Sequence, residues 1–320
     1  MSTMLAFPNL DVSAPPTSGL EAAVGNTPLL PLRRIGARLS PGVKLLAKAE
    51  WFNPGGSVKD RAALFILRKA QADGQLPPGR RLLDSTSGNM GIAYATLCAG
   101  LEIPVTLTIP SNASAERMTI LRALGAELIL TDPLEGSDGA ARVAARLAGE
   151  RPELYFYANQ YDNPASWWAH YCTTGPEVAG QAGERISHFI AGLGTSGTLV
   201  GTGRYLRELN PHLSIIAVQP DSSFHGMEGL KHIESSAQPG IFQPSLVDRT
   251  IHVSTETAYG MVQRLAREEG LFVGISSGAA VTAALETAGE LQEGVVVTVL
   301  PDAGYKYLSS RGLWETVQDA

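Results

Sequence analysis

Three glycine-bearing loops hold the residues whose types and spacing could do chemistry. The first reads N-P-G-G-S-V-K-D-R over 53–61. A lone lysine such as Lys59 is ordinarily a solvated surface charge. Here Gly55 and Gly56 remove the side-chain bulk that would keep a planar ligand from the backbone. Apolar spacing at Ala63, Ile66, Leu67 and Ala70 predicts a helix over 59–74, with Lys59 at its mouth. The dipole at that end repels a cation and so favours the neutral amine. A neutral amine is the form that builds a Schiff base with a carbonyl.

The second loop is D-S-T-S-G-N-M-G over 84–91, between a strand and a helix. Small hydroxyl and amide side chains with open N–H groups can take an anion such as a carboxylate. The same residues also make an ordinary helix cap. The third is G-L-G-T-S-G-T over 192–198, between the apolar run HFIAGL and a helix. Its turn and helix start can cradle a phosphate. No Gly-Lys-Ser/Thr follows, so it is not a Walker loop. Gly192, Gly194 and Gly197 do fit G-x-G-x-x-G, and dinucleotide binding stays open as an alternative. That fingerprint wants an acidic residue at the end of the next strand, which here ends in Gln219-Pro220 with Asp221 beyond.

The elements that must carry these loops alternate along the chain. Strands are expected at 29–32, 43–50, 81–85, 104–110, 126–131, 153–159, 188–193, 214–220, 250–254 and 294–301. Helices are expected at 59–74, 91–100, 114–125, 137–150, 166–183, 198–209, 256–270 and 277–291. The repetition predicts doubly wound parallel sheets, with ligands at the carboxyl ends of the strands. So many elements exceed one usual sheet and predict two α/β domains. Residues 221–250 break the rhythm with a loop that holds Phe224, His225, Lys231 and His232.

Bulk composition narrows the function. The net charge of −6, with Lys and Arg scattered, excludes a nucleic-acid surface. Two cysteines, Cys98 and Cys172, are too few for a disulfide framework and read as thiols in a reducing compartment. No run approaches the roughly 18 apolar residues of a membrane span, and the first residues lack a basic n-region. A cytoplasmic protein is expected. Residues 1–20 are expected to be loosely ordered. The six histidines are scattered, and only His225 and His232 share a loop, so no metal site is expected.

Taken in order, NPGGSVKDR, STSGNMG, GTSGT and G-I-S-S-G-A-A (274–280) resemble the pyridoxal-phosphate-dependent cysteine synthase (O-acetylserine sulfhydrylase) and cystathionine β-synthase family. G-N-T-P-L (25–29), N-Q-Y-D-N-P-A (159–165) and T-T-G-P-E (173–177) add to the resemblance, which runs from about residue 20 to about residue 310. It implies an α/β protein of PLP fold type II, tryptophan synthase β-like, with two doubly wound parallel-sheet domains. The smaller would span 52–157, and the larger 21–51 with 158–320. Lys59 would be the catalytic lysine, holding pyridoxal 5′-phosphate and later shuttling the substrate α-proton. Asn89 would meet the 3′-oxygen of the cofactor, and Gly194, Thr195, Ser196, Gly197 and Thr198 its phosphate. Ser276 would face the pyridine nitrogen; by itself it is an ordinary cap residue. Thr86, Ser87, Asn89 and Gln160 would bind the substrate carboxylate. Pro239-Gly240-Ile241 would form part of a lip, with Gly240 close to the bound amino acid.

The expected reaction is β-replacement on O-acetylserine by sulfide, giving L-cysteine. The family also implies a homodimer and a mobile segment at roughly 106–150. A serine acetyltransferase or a sulfur-carrier protein is the expected protein partner. Met90 departs from the threonine usual in the carboxylate loop and cannot donate a hydrogen bond. D-A-G-Y-K-Y-L-S-S (302–310) resembles sulfhydrylases that take O-phosphoserine or work with a sulfur-carrier protein; those place an arginine shortly after the strand that here ends in Gln219-Pro220, whereas Asp221 would repel a phosphate, and Lys231 or Arg249 could substitute for that arginine. Other β-replacements or eliminations (cystathionine, diaminopropionate or dehydratase chemistry), O-phosphoserine as substrate, and a silent paralogue that only binds a partner are the alternatives.

Overall fold

The computed structural model of the chain describes residues 19–86, 88–310 and 312–314. The expected loose segment therefore lies outside the described residues up to residue 18, as does Ser87. In chain order the strands are β1 (Leu29–Pro31), β2 (Gly42–Ala49), β3 (Arg81–Ser85), β4 (Val105–Pro110), β5 (Glu127–Thr131), β6 (Tyr155–Tyr157), β7 (His188–Gly192), β8 (Ser214–Pro220), β9 (Arg249–Val253) and β10 (Glu293–Leu300). The helices are α1 (Gly19–Ala22), α2 (Lys59–Ala72), α3 (Asn89–Gly100), α4 (Ala115–Ala123), α5 (Gly136–Glu150), α6 (Ala165–Ala169), α7 (Gly175–Ala182), α8 (Gly197–Leu209), α9 (Thr255–Arg264) and α10 (Ile275–Gly289).

Two sheets result, and each forms its own α/β domain. The larger has the order β1-β2-β10-β7-β8-β9 and the smaller β5-β4-β3-β6. Every pairing is parallel except β1 with β2, where Leu29 faces Lys48. Residues 32–41 between those two strands are too few for a parallel crossover. β1 therefore turns back along the edge. Strands covered on both faces need continuous apolar residues. β4 (VTLTIP) is buried throughout, and β10 (EGVVVTVL) is buried from Val295 onward.

Helix packing is close where side chains are small. A Cβ at Gly278 of α10 would strike the Ala258 carbonyl oxygen of α9, and one at Gly201 of α8 the Trp167 carbonyl oxygen of α6. The helix expected over 166–183 is α6, a π-helical turn at His170–Thr174, and α7. A second π turn, Leu265–Glu269, continues α9. Parallel winding brings the loops after β2, β3, β7 and β10 to the carboxyl edges of their strands.

Candidate active site

These loops line one cleft of about 1000 Å³, counting its open mouth. Lys59, the first residue of α2, enters from one side. The loop before it is pinned to the end of β10, because Val58 N donates to Pro301 O at 2.8 Å and Ser57 bridges Asp302. Gly55 N donates to the Asp60 carboxylate at 2.9 Å, and burial pushes Asp60 up to about 7. Burial likewise pushes the Lys59 amine below its ordinary range, and the Asp302 carboxylate works against that shift. A neutral, nucleophilic amine is the product of such an environment.

The loop after β7 lines the same cleft. Gly194 must lack a side chain, since a Cβ there would meet the Gly229 carbonyl oxygen. Ser196 adopts a left-handed φ of 72° at the start of α8, and its Oγ is buried with no hydrogen-bond partner. The first N–H groups of a helix have no partner within it. Together they form an anion cradle at the positive end of the α8 dipole. Gly194, Thr195, Ser196 and Thr198 line the cleft; Gly197 opens α8 and packs against the Ser166 carbonyl. His170 supports the cradle from behind, with Nε2 at 3.3 Å from Thr198 Oγ1 and Nδ1 at 2.8 Å from Thr174 Oγ1. Burial drives His170 down to about 3, so its imidazole is neutral.

Ser276 lines the cleft at the start of α10. From the smaller sheet come Thr86, Asn89, Met90 and Gln160. Thr86 Oγ1 accepts from Gly88 N at 2.9 Å and Gly91 N at 3.0 Å, which caps α3 and leaves its O–H to donate. Gln160 Nε2 donates to Ser85 O at 2.7 Å, holding the side chain beside that loop. The Asn89 amide is gripped at both ends: Nδ2 donates to Asp302 Oδ2 at 2.6 Å, and Oδ1 accepts from Lys306 Nζ at 2.9 Å. Met90 is buried in the smaller domain's core while also lining the cleft. Gly240 stands apart from the cleft lining, exposed, with its N–H on Asp162 Oδ1 at 2.9 Å.

Arg117, which sequence reasoning did not single out, also lines the cleft, as does Lys231 of the 221–250 loop. Arg117 of α4 pairs with Glu228 and covers the Tyr307 ring at 4.9 Å. Lys231 lines the cleft, stands 4.7 Å from the Tyr161 ring centre, and reaches Asp138 of α5 at 2.8 Å. Arg249 lies outside the cleft lining and pairs with Glu286 and Glu290. Asp302 and Lys306 carried a signal, a charge pair four apart directly after an apolar strand. Their contact with Asn89 spans more than 200 positions, and no local pattern encodes it.

Gln219, the position where a dinucleotide site would want an acid, donates to Glu234 at 2.9 Å and contacts His252. The arrangement instead suits a phosphorylated, planar carbonyl compound. It brings an anion cradle, a lysine amine, a hydroxyl and an amide to one cleft.

Comparison with known proteins agrees. Residues 20–302 match the family described as pyridoxal-phosphate dependent enzyme. The chain is 50% identical over 292 residues to a cysteine synthase of Aquifex aeolicus, covering 90% of this chain and 89% of that one. It is 41% identical over 295 residues to cysteine synthase B of Escherichia coli, covering 92% and 95%. The crystal structure of a cysteine synthase from Entamoeba histolytica superposes with a TM-score of 0.87 at 33% identity, covering 98% of this chain and 97% of that one.

Proposed function

This chain belongs to the pyridoxal-phosphate-dependent enzymes, and we propose that it is a cysteine synthase, converting O-acetyl-L-serine and sulfide to L-cysteine and acetate. The observation that carries this reading is a single cleft holding Lys59, the anion cradle over 194–198 and Ser276, with Thr86 and Gln160 facing them from the other sheet. The unpartnered Ser196 Oγ and the side-chain-free Gly194 fit the cofactor's phosphate.

When bound, the cofactor supplies an electron sink for charge developing at the substrate α-carbon. Lys59 would anchor it, and Gly194, Thr195, Ser196, Gly197 and Thr198 would hold its phosphate. Asn89 would donate to its 3′-oxygen, and Ser276 would meet its pyridine nitrogen. Thr86, Ser87, Asn89 and Gln160 orient the substrate carboxylate. The Lys59 amine, whose neutral form burial favours, takes the α-proton. Acetate departs from Cβ, sulfide bonds to Cβ, and the proton returns from Lys59 to Cα. A neutral Ser276 hydroxyl stabilises less charge at the pyridine nitrogen than a carboxylate would, so deprotonation depends on a good β-leaving group.

O-phosphoserine is the second reading, because Lys231 lines the cleft. Lys231 is committed to Asp138 and Arg249 to glutamates, which ranks O-acetylserine first. The purified chain, loaded with cofactor, should form cysteine from O-acetylserine and sulfide faster than from O-phosphoserine or serine. Faster turnover of O-phosphoserine with sulfide or a thiocarboxylate carrier would reverse the order, and rapid keto-acid release from serine would favour a dehydratase.

We assign the protein to the cytoplasm as a homodimer, with residues 52–157 as the smaller domain. No described helix is long and apolar enough to cross a membrane. An acetyltransferase or a sulfur-carrier protein would dock at the cleft mouth, and co-elution with either from a sizing column distinguishes them.

A further inference from the structure

We propose that Asp302 is a positioning residue: its carboxylate and the Lys306 ammonium lock the Asn89 amide in one orientation, and it supplies the negative charge beside the Lys59 amine. The inference rests on Lys59 and Asn89 holding the cofactor as described above.

The geometry leaves the amide one orientation. Asp302 is fully buried. Its Oδ2 accepts from Asn89 Nδ2 at 2.6 Å and from the Tyr307 hydroxyl at 2.7 Å. Lys306 is as deeply buried, and its ammonium donates to Gly55 O at 2.9 Å, Gly56 O at 3.1 Å and Asn89 Oδ1 at 2.9 Å. A lysine can only donate and a carboxylate can only accept. The Asn89 oxygen must therefore face Lys306 and its nitrogen Asp302. Turning the amide over would set donor against donor and acceptor against acceptor. One hydrogen on Asn89 Nδ2 is then left for the cleft, and its direction is fixed.

The same pair governs charge. Asp302 is the group that opposes the effect of burial on Lys59. Its Oδ1 is buried without a hydrogen-bond partner, so the carboxylate is not fully spent on neighbours. Lys306, Asp60, Tyr305, Tyr307 and Arg117 are the other titratable or charged groups around it, with His170 on the far side of Lys59. Lys306 offsets Asp302, and Asp60 offsets Lys306. Asp302 thus works against burial in setting the basicity of the Lys59 amine.

The test uses the full-length chain as wild type, Asp302→Asn, Asp302→Ser and Lys306→Met. Each is stripped of pyridoxal phosphate and reloaded from neutral to alkaline pH, following the return of the visible absorbance of the lysine-bound cofactor. Attachment needs the neutral amine, so the pH midpoint of the rate reports Lys59. Both Asp302 variants should lower that midpoint by about one pH unit. Lys306→Met should raise it, because Asp302 then acts on Lys59 without an offsetting charge. Both should weaken cofactor retention in dialysis about tenfold, as Asn89 loses a fixed orientation. Asp302→Ser serves if Asp302→Asn does not fold. A wild type that takes up no cofactor overturns both readings. A wild type that loads and makes cysteine, beside folded Asp302 variants with an unchanged midpoint, overturns this one alone.

Discussion

Lys59 occupies a position that costs the fold and serves the reaction. It stands half-buried at the N-terminal end of α2, where both desolvation and the helix dipole disfavour a charge. Lys59→Ala should lower cysteine formation by roughly 10²–10⁴-fold or more, while the melting temperature holds or rises; a steady-state assay and a thermal melt check both. Asp84 behaves differently. Burial pushes its carboxyl from 3.8 to about 7, and it accepts from Ser85 N and Gln160 N beside the carboxylate loop. Between those two values the folded chain keeps a proton that the unfolded chain has released. Stability from this group is therefore complete below about 4 and is lost as pH rises toward 7, with a slope of up to about 1.4 kcal/mol per pH unit. Relative to wild type, Asp84→Asn should gain thermal stability between acid and neutral pH, and parallel melts across that range test it. Lys59, the glycines and Ser276 were legible because their loops are contiguous in sequence. Asp302 was not, since its task depends on Asn89, 213 positions away.

Among elements, α2 carries the chemistry because it is anchored two residues beyond Lys59. The Arg61 guanidinium, fully buried, meets Glu50 at 2.7 and 2.8 Å and Glu177 at 2.6 and 2.8 Å. Thr27 and Lys48 complete the cluster. Burial opposes the charge on Glu50, and Arg61 overcomes it, holding the carboxyl at about 2. Arg61→Met would leave Glu50 buried without its cation and Glu177 with Lys48 alone, at a cost of about 3–5 kcal/mol. Denaturant unfolding should show that loss, with weaker cofactor retention as α2 loosens. Strand positions were legible from apolar runs flanked by turns, and they fall within two residues of the observed ends. The π turns were not. A π turn changes the hydrogen-bond step without changing composition, and the one at 170–174 follows from packing against α8, where Trp167, Trp168 and Tyr171 crowd together.

At the scale of the molecule, polar contacts tie the two domains across the cleft. Arg117 meets Glu228, Asp138 meets Lys231, and Glu116 takes both the N–H and the hydroxyl of Ser309. Each draws one member from α4 or α5 and the other from the larger domain. Asp138 also sets what Lys231 can do. Asp138→Asn should free that ammonium to meet a dianionic leaving group and move the kcat/KM ratio toward O-phosphoserine by about tenfold, the worth of one charge-assisted hydrogen bond. Competing-substrate assays read the ratio directly. These ties were beyond sequence reasoning, because composition does not tell which surface charges face each other across a gap.

The strand order carries one more consequence. β10, the last of the described strands, lies in the interior of the larger sheet, between β2 and β7. Its partner β2 precedes it by about 250 residues. The smaller sheet draws on four strands within 81–157 and can close while the ribosome is still working. The larger sheet has a gap at its middle until β10 emerges, and Pro301, Asp302 and Lys306 arrive immediately behind it. During synthesis, then, the polypeptide holds Lys59 and the 192–198 loop for some time before it holds a site. Cofactor capture waits for β10 to emerge, and a nascent chain stalled before it is exposed to chaperones and proteases with an open sheet and nothing bound.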